Sequence, residues 1–136
     1  MCEVTKGRNH LNLPEKLHDV LKHEGVVSIV SWGVGDEPHV ANTWNSYVVV
    51  TTDGRMLIPA AGLNRTEKNV NQTGKVKVAL GSREVVGYKD YQGTGFAVEG
   101  NAKYLASGSE FDMMKGKFSF LTRVLEVTVT SAKQLL

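Results

Sequence analysis

The chain has 136 residues, of which 41% are hydrophobic and 22% charged, and a net charge of +2 from 16 Lys and Arg against 14 Asp and Glu. This length gives one domain with room for a real core, and so small a charge excludes a nucleic-acid partner held by field strength alone. The lone cysteine, Cys2, cannot form an internal disulfide, and no apolar run marks a signal peptide or a membrane span, so a cytoplasmic setting is expected.

Residues 1–12 are polar and read as a flexible leader, which leaves 13–136 as a single domain. Pro14 suits the first turn of a short helix with Leu13, Leu17, Val20 and Leu21 as its apolar stripe and Gly25 as its stop. His10, His18, His23 and His39 show no metal-ligand spacing. Val26 to Ser31 predicts a strand. The following Gly33-Val34-Gly35-Asp36 is a turn rather than a dinucleotide loop, because no helical pattern follows it.

Val40 to Val50 reads as the strand around which the chain is organised. Alternate strand residues share a face, so polar residues should keep to one side. Here Asn42, Trp44 and Ser46 fall on one face and Thr43, Asn45 and Tyr47 on the other. A buried amide or hydroxyl without a partner costs roughly 1–3 kcal/mol. A flat polar ligand along the strand would supply those partners; a strand end open to water is the plainer alternative. Asp53-Gly54 marks a hairpin, and Arg55 to Ala61 is the expected antiparallel neighbour.

Gly62 to Val70 reads as a loop followed by a helix, with Asn64 or Thr66 as cap and Glu67 at the capping-box distance from Asn64. Free N–H groups at a helix start, together with Arg65, Thr66 and Lys68, form a candidate phosphate site. Lys75 to Leu80 is a strand closed by a Gly81-Ser82-Arg83 turn. A polar loop spans Gly87 to Gly95. Phe96 to Leu105 is a strand with a bulge or bend at Gly100. Ser109 to Lys117 forms a short helix with Phe111, Met113 and Met114 as apolar contacts. Phe118-Ser119-Phe120 links it to a last strand, Val124 to Thr130, in which Val124, Glu126, Thr128 and Thr130 face one way and Leu125, Val127 and Val129 the other. The apolar pair Leu135-Leu136 suits docking on a neighbour. About six strands and two or three short helices predict a mostly β, closed or partly open antiparallel barrel with Greek-key-like order.

Taken together, Glu24 to Val27, Val40 to Tyr47, Arg65 to Val70, Leu80 to Arg83 and Gly93 to Phe96 resemble the small FMN-binding proteins of the FMN-binding split-barrel superfamily. That superfamily also holds the pyridoxamine phosphate oxidases and flavin reductase-like proteins. The resemblance implies a split β-barrel, a homodimer, and FMN held non-covalently near the subunit interface. It implies that Asn42, Thr43, Trp44, Asn45, Ser46 and Tyr47 line the flavin ring and ribityl chain. Gly62, Leu63, Asn64, Arg65 and Thr66 would hold the phosphate, and Ser82 and Arg83 would complete the polar cradle. Phe120 would stand beside the ring and Leu136 would reach the other subunit's flavin. Arg65 replaces a lysine of the relatives, and arginine can grip phosphate bidentately; Phe120 replaces a tryptophan. Glu24 is the acidic candidate near the ring.

The implied function is a small flavin electron-transfer protein or FMN-dependent oxidoreductase with a redox partner. A pyridoxamine phosphate oxidase in the strict sense is disfavoured by the short chain and the lack of a second phosphate-binding cluster. A flavin-storing or sensing module is one alternative. A barrel that binds single-stranded nucleic acid through Lys75, Lys77, Arg83, Lys89 and exposed tyrosines is another, against which the charge of +2 argues. No Ser-His-Asp or Cys-His set supports hydrolysis.

Overall fold

A computed structural model describes residues 13–136. The predicted leader, with Cys2 and His10, lies outside them. Seven strands form one sheet: β1 (Val26–Ser31), β2 (His39–Trp44), β3 (Val49–Val50), β4 (Arg55–Ala60), β5 (Lys75–Val86), β6 (Gln92–Leu105) and β7 (Arg123–Gln134). Three helices accompany them: α1 (Glu15–Leu21), α2 (Asn64–Thr73) and α3 (Ser109–Lys117). The strand order is β2-β1-β5-β6-β7-β4-β3, and every pairing is antiparallel.

The two edge strands are consecutive in the chain. Six steps of about 4.8 Å would hold the edges of a flat sheet about 29 Å apart. The chain from Trp44 to Val49 can span at most about 18 Å. The sheet is therefore curled, as a split barrel requires. Its interior holds Val27, Ile29, Met56, Ile58, Val78, Leu80, Phe96, Leu125 and Val127, with Leu17 and Val20 of α1 packed on it. A second, smaller cluster of Leu57, Met114, Leu121 and Val124 lies under α3. The alternation expected in the last strand accounts for both, since odd-numbered residues face the main core and Val124 faces α3. Arg55 ties this corner together by ion pairs to Glu110 of α3, Glu126 of β7 and Asp53. Glu110 foremost raises the Arg55 pKa.

Several expectations need correction. The stretch from Val40 to Val50 is two strands, not one. A 3-10 turn, Asn45–Tyr47, divides it, and its halves occupy opposite edges of the sheet. Only Val49–Val50 neighbours β4; β2 pairs with β1. Gly81-Ser82-Arg83 lies within β5 rather than in a turn, and β6 begins at Gln92, so Gly93–Gly95 is strand rather than loop. β7 likewise runs past Thr130 to Gln134. Met113 is exposed, and Met114 alone of the pair is buried. The Gly100 irregularity is present, as a register shift between Glu99 and Gly100.

Candidate functional site

The turn that splits the edge strands is pinned by one side chain. Asn45 is fully buried, and its Nδ2 donates to the carbonyls of His23 at 2.8 Å, Gly81 at 3.2 Å and Val20 at 3.3 Å. Its backbone N–H donates to the Gly25 carbonyl at 2.9 Å. Asn45 thus fastens the end of α1, the start of β1 and the middle of β5 to the turn. Gly25 is not the helix stop, since α1 closes at Lys22. A Cβ at Gly25 would lie 2.6 Å from the Gly81 carbonyl oxygen and 2.9 Å from Asn45 Nδ2, so this crossing admits only glycine.

The neighbouring polar side chains also find protein partners. The Ser46 hydroxyl donates to Glu24 Oε2 at 2.8 Å, and its N–H donates to Oε1 at 3.2 Å. These bonds, the hydroxyl's first, hold the Glu24 carboxyl below the usual glutamate range. Ser28 Oγ donates to Asn42 Oδ1 at 3.1 Å. Asn42, Ser46 and Asn45 Nδ2 thus find partners inside the protein, while Asn45 Oδ1 is buried with no partner among the described residues. The aromatic residues behave differently. Trp44 is 46% exposed and Phe120 48% exposed. Tyr47 meets Phe118 and Phe120, each at 5.4 Å between ring centroids.

The start of α2 is the opposite case. Neither Asn64 nor Thr66 caps it. Leu63 occupies the cap position in the left-handed conformation, φ 58°, with no side-chain cap. Glu67 completes no capping box; it pairs with Arg123 Nε at 2.8 Å. The first intrahelical bond is from Glu67 N–H to the Leu63 carbonyl, so the N–H groups of Asn64, Arg65 and Thr66 have no partner among the described residues. The Thr66 hydroxyl is buried and unpartnered. Arg65 is half exposed and 4.0 Å from Asp36. Uncapped amides, an orphaned hydroxyl and an available guanidinium fit an anion such as a phosphate.

A cavity of about 950 Å³ opens on the β1–β5–β6 face, lined by Ser82, Arg83 and Leu136 among the expected residues, and also by Glu24, Gly81, Thr94 and Tyr91. Val26 and Ser28 of its wall pair with Trp44 and Asn42 of β2. Directly opposed residues share a face, so Asn42 and Trp44 continue that wall. Gly62 to Thr66, Tyr47 and Phe120 do not line it. A single copy therefore presents most of the expected residues as three groups, the cavity wall, the aromatic cluster and the α2 start, while Asn45 serves the turn and Thr43 is buried.

Sequence reasoning missed Arg123, which reaches the Gly62 carbonyl at 2.8 Å and stacks 5.5 Å from the Tyr104 ring centroid. It also missed Thr94 and Gln134, which each donate to the Leu136 carbonyl at 2.8 Å. Arg123 and Gln134 lie in no recognisable motif, and the partners of Arg123 and Thr94 are far away in the chain.

The sequence profile of Pyridoxamine 5'-phosphate oxidase matches residues 13–136, and the chain belongs to that family. It is 42% identical to a protein of Nitratidesulfovibrio vulgaris (strain DSM 19637 / Miyazaki F) named FMN-binding protein, over 124 residues that cover 91% of this chain and 99% of that one. HupZ of Group A Streptococcus shares the fold at a TM-score of 0.74 and 15% identity, covering 91% of this chain and 94% of that chain. A protein of Syntrophomonas wolfei subsp. wolfei described as FMN-binding shares it at a TM-score of 0.71 and 17% identity, covering 90% of this chain and 85% of that chain.

Proposed function

We propose that this chain binds FMN non-covalently and serves as a small flavin electron-transfer protein or oxidoreductase, assembled as a homodimer in the cytoplasm. The observation that carries the reading is the uncapped start of α2 with its orphaned Thr66 hydroxyl, in a chain 42% identical to a protein named FMN-binding. FMN bound there supplies redox chemistry that no side chain of the protein can perform.

The residues of this chain divide the work of holding it. The first-turn amides of α2 and Arg65 receive the phosphate, where a guanidinium can bind two oxygens at once. Trp44, Tyr47 and Phe120 offer aromatic faces, worth about 0.5–1.5 kcal/mol beyond their area when they stack. Glu24 is held ionised by Ser46 and opposes the build-up of negative charge on a neighbouring reduced ring. Leu135 and Leu136 are 52% and 51% exposed while the Leu136 carbonyl is fixed by Thr94 and Gln134, a firm apolar surface suited to a second copy's ring.

The test is direct. The purified protein should be yellow and should release FMN on denaturation. A colourless protein that takes up no added FMN overturns the reading. Sedimentation should give twice the chain mass. Rapid reduction of the bound flavin by NADH or NADPH would mark an oxidoreductase, and its failure a carrier.

A further inference from the structure

We propose that Arg123, which lies in β7 and outside every motif of the sequence, is the positioning residue that shapes the anion site at the start of α2; this rests on the phosphate reading above. Its guanidinium donates to the Gly62 carbonyl at 2.8 Å and reaches the Ala61 carbonyl and Asn64 Oδ1 at 3.5 and 3.4 Å. The Tyr104 hydroxyl, from β6, lies 3.5 Å from the next carbonyl, that of Leu63. Three consecutive carbonyls, Ala61 to Leu63, are thus drawn to one side, toward β6 and β7.

A trans peptide points its carbonyl and its N–H in opposite directions. Turning the carbonyls of Ala61, Gly62 and Leu63 inward turns the N–H groups of Gly62, Leu63 and Asn64 outward. Those three N–H groups have no partner among the described residues. They run on into the uncapped N–H groups of Arg65 and Thr66. Leu63 in the left-handed conformation, followed by helical residues, is the backbone alternation that makes a concave run of N–H groups selective for anions.

Arg123 does not itself serve as the anion's counter-charge. Glu67 Oε1 lies 2.8 Å from Nε as an ion pair, although Nε is not aligned to donate to it, and Nη1 donates to Thr122 Oγ1 at 2.6 Å. Its charge is thus compensated within the protein. The cation left to meet the anion is Arg65, held only at 4.0 Å by Asp36, and Arg123 acts through the loop it folds. Arginine is required because its fork spans several carbonyls at once, which a lysine ammonium cannot do in fixed geometry.

The experiment titrates FMN and riboflavin into the full-length apoprotein and into Arg123→Lys and Arg123→Ala. Riboflavin lacks the phosphate, so the ratio of the two affinities reads the anion site alone. The wild type should prefer FMN. Arg123→Lys keeps the charge but loses the bridging, and should cut that preference roughly tenfold or more while riboflavin affinity holds. Arg123→Ala should match it. If Arg123→Ala does not fold, Arg123→Lys decides the matter alone. A wild type that binds FMN selectively beside an Arg123→Lys variant that keeps the preference overturns the role of Arg123 and leaves the phosphate reading intact. A wild type that binds both flavins equally, or neither, refutes the phosphate reading and this inference with it.

Discussion

The turn Asn45–Tyr47 and the loop leading into α2 are both rich in polar groups, yet they treat them in opposite ways. At the turn, Asn45 Nδ2, Asn42 and Ser46 are hydrogen-bonded to the protein itself. At the α2 start, the Thr66 hydroxyl and the first-turn amides have no partner among the described residues. The first region spends all but Asn45 Oδ1 of this polarity on closing the barrel. The second holds it in reserve. Polarity inside a fold thus points to a ligand only after internal partners have been counted.

The sharpest way to break this contrast is Asn45→Ala. It strands the carbonyls of Val20, His23 and Gly81, and stability should fall by roughly 3–4 kcal/mol in urea unfolding of the apoprotein. A loss below about 1 kcal/mol would show that the turn holds without its amide. Arg65→Ala should do the reverse: FMN affinity drops by roughly 1.5–3 kcal/mol at unchanged apoprotein stability, by titration calorimetry and urea unfolding. Unchanged affinity clears Arg65 of the phosphate. Thr66→Val removes the orphaned hydroxyl at almost constant shape. The apoprotein should be as stable as before or gain about 1 kcal/mol, whereas FMN binding should weaken by about the same amount. Weakened stability would mean the hydroxyl already has an internal role. Trp44→Ala should change the bound-flavin spectrum with little effect on folding, because the ring is half exposed; an identical spectrum removes Trp44 from the ring's surroundings.

Glu24→Gln gives the smallest expected change. Its carboxyl pKa is lowered in the folded state, so its contribution is complete above the ordinary glutamate value of 4.5 and is lost as pH falls through the lowered one. Substitution should slightly lower stability above that pH and leave it unchanged at the acid end, where the contribution is already lost, and it should raise the potential of a nearby flavin by removing a negative charge. Unaltered unfolding curves at acid and neutral pH, with an unaltered potential, would leave Glu24 as solvated charge.

Much of the barrel is legible in the residues. The alternation of Leu125, Val127 and Val129, the Asp53-Gly54 hairpin and the bulge at Gly100 are local signals, and each appears in the structure. The break at Asn45 is not legible, because Val48 to Val50 extends the β-branched run and hides a turn made by contacts to residues 20 or more positions away. Gly81 to Arg83 have turn composition, but β6 lies alongside and holds them in register with Thr94 and Gly95. The helix start at Asn64 is legible as a helix. Its missing cap is not, since Leu63 in the left-handed conformation breaks the preference of leucine and is stabilised by partners from β6 and β7. The residues that shape a site from across the sheet leave no motif.

Joining the two sheet edges through one short turn has a kinetic consequence. The β1–β2 and β3–β4 hairpins are local and can form early, directly one after the other. In the finished sheet they are separated by β5, β6 and β7. Three strands from the second half of the chain must therefore be inserted between two units already tethered to each other, and closure waits for pairings such as that of Arg55 with Thr128. A barrel wired in this way should refold in milliseconds to seconds rather than microseconds, and a chain truncated before β7 should hold a β2-β1-β5-β6 sheet with the β3–β4 hairpin unjoined to its far edge.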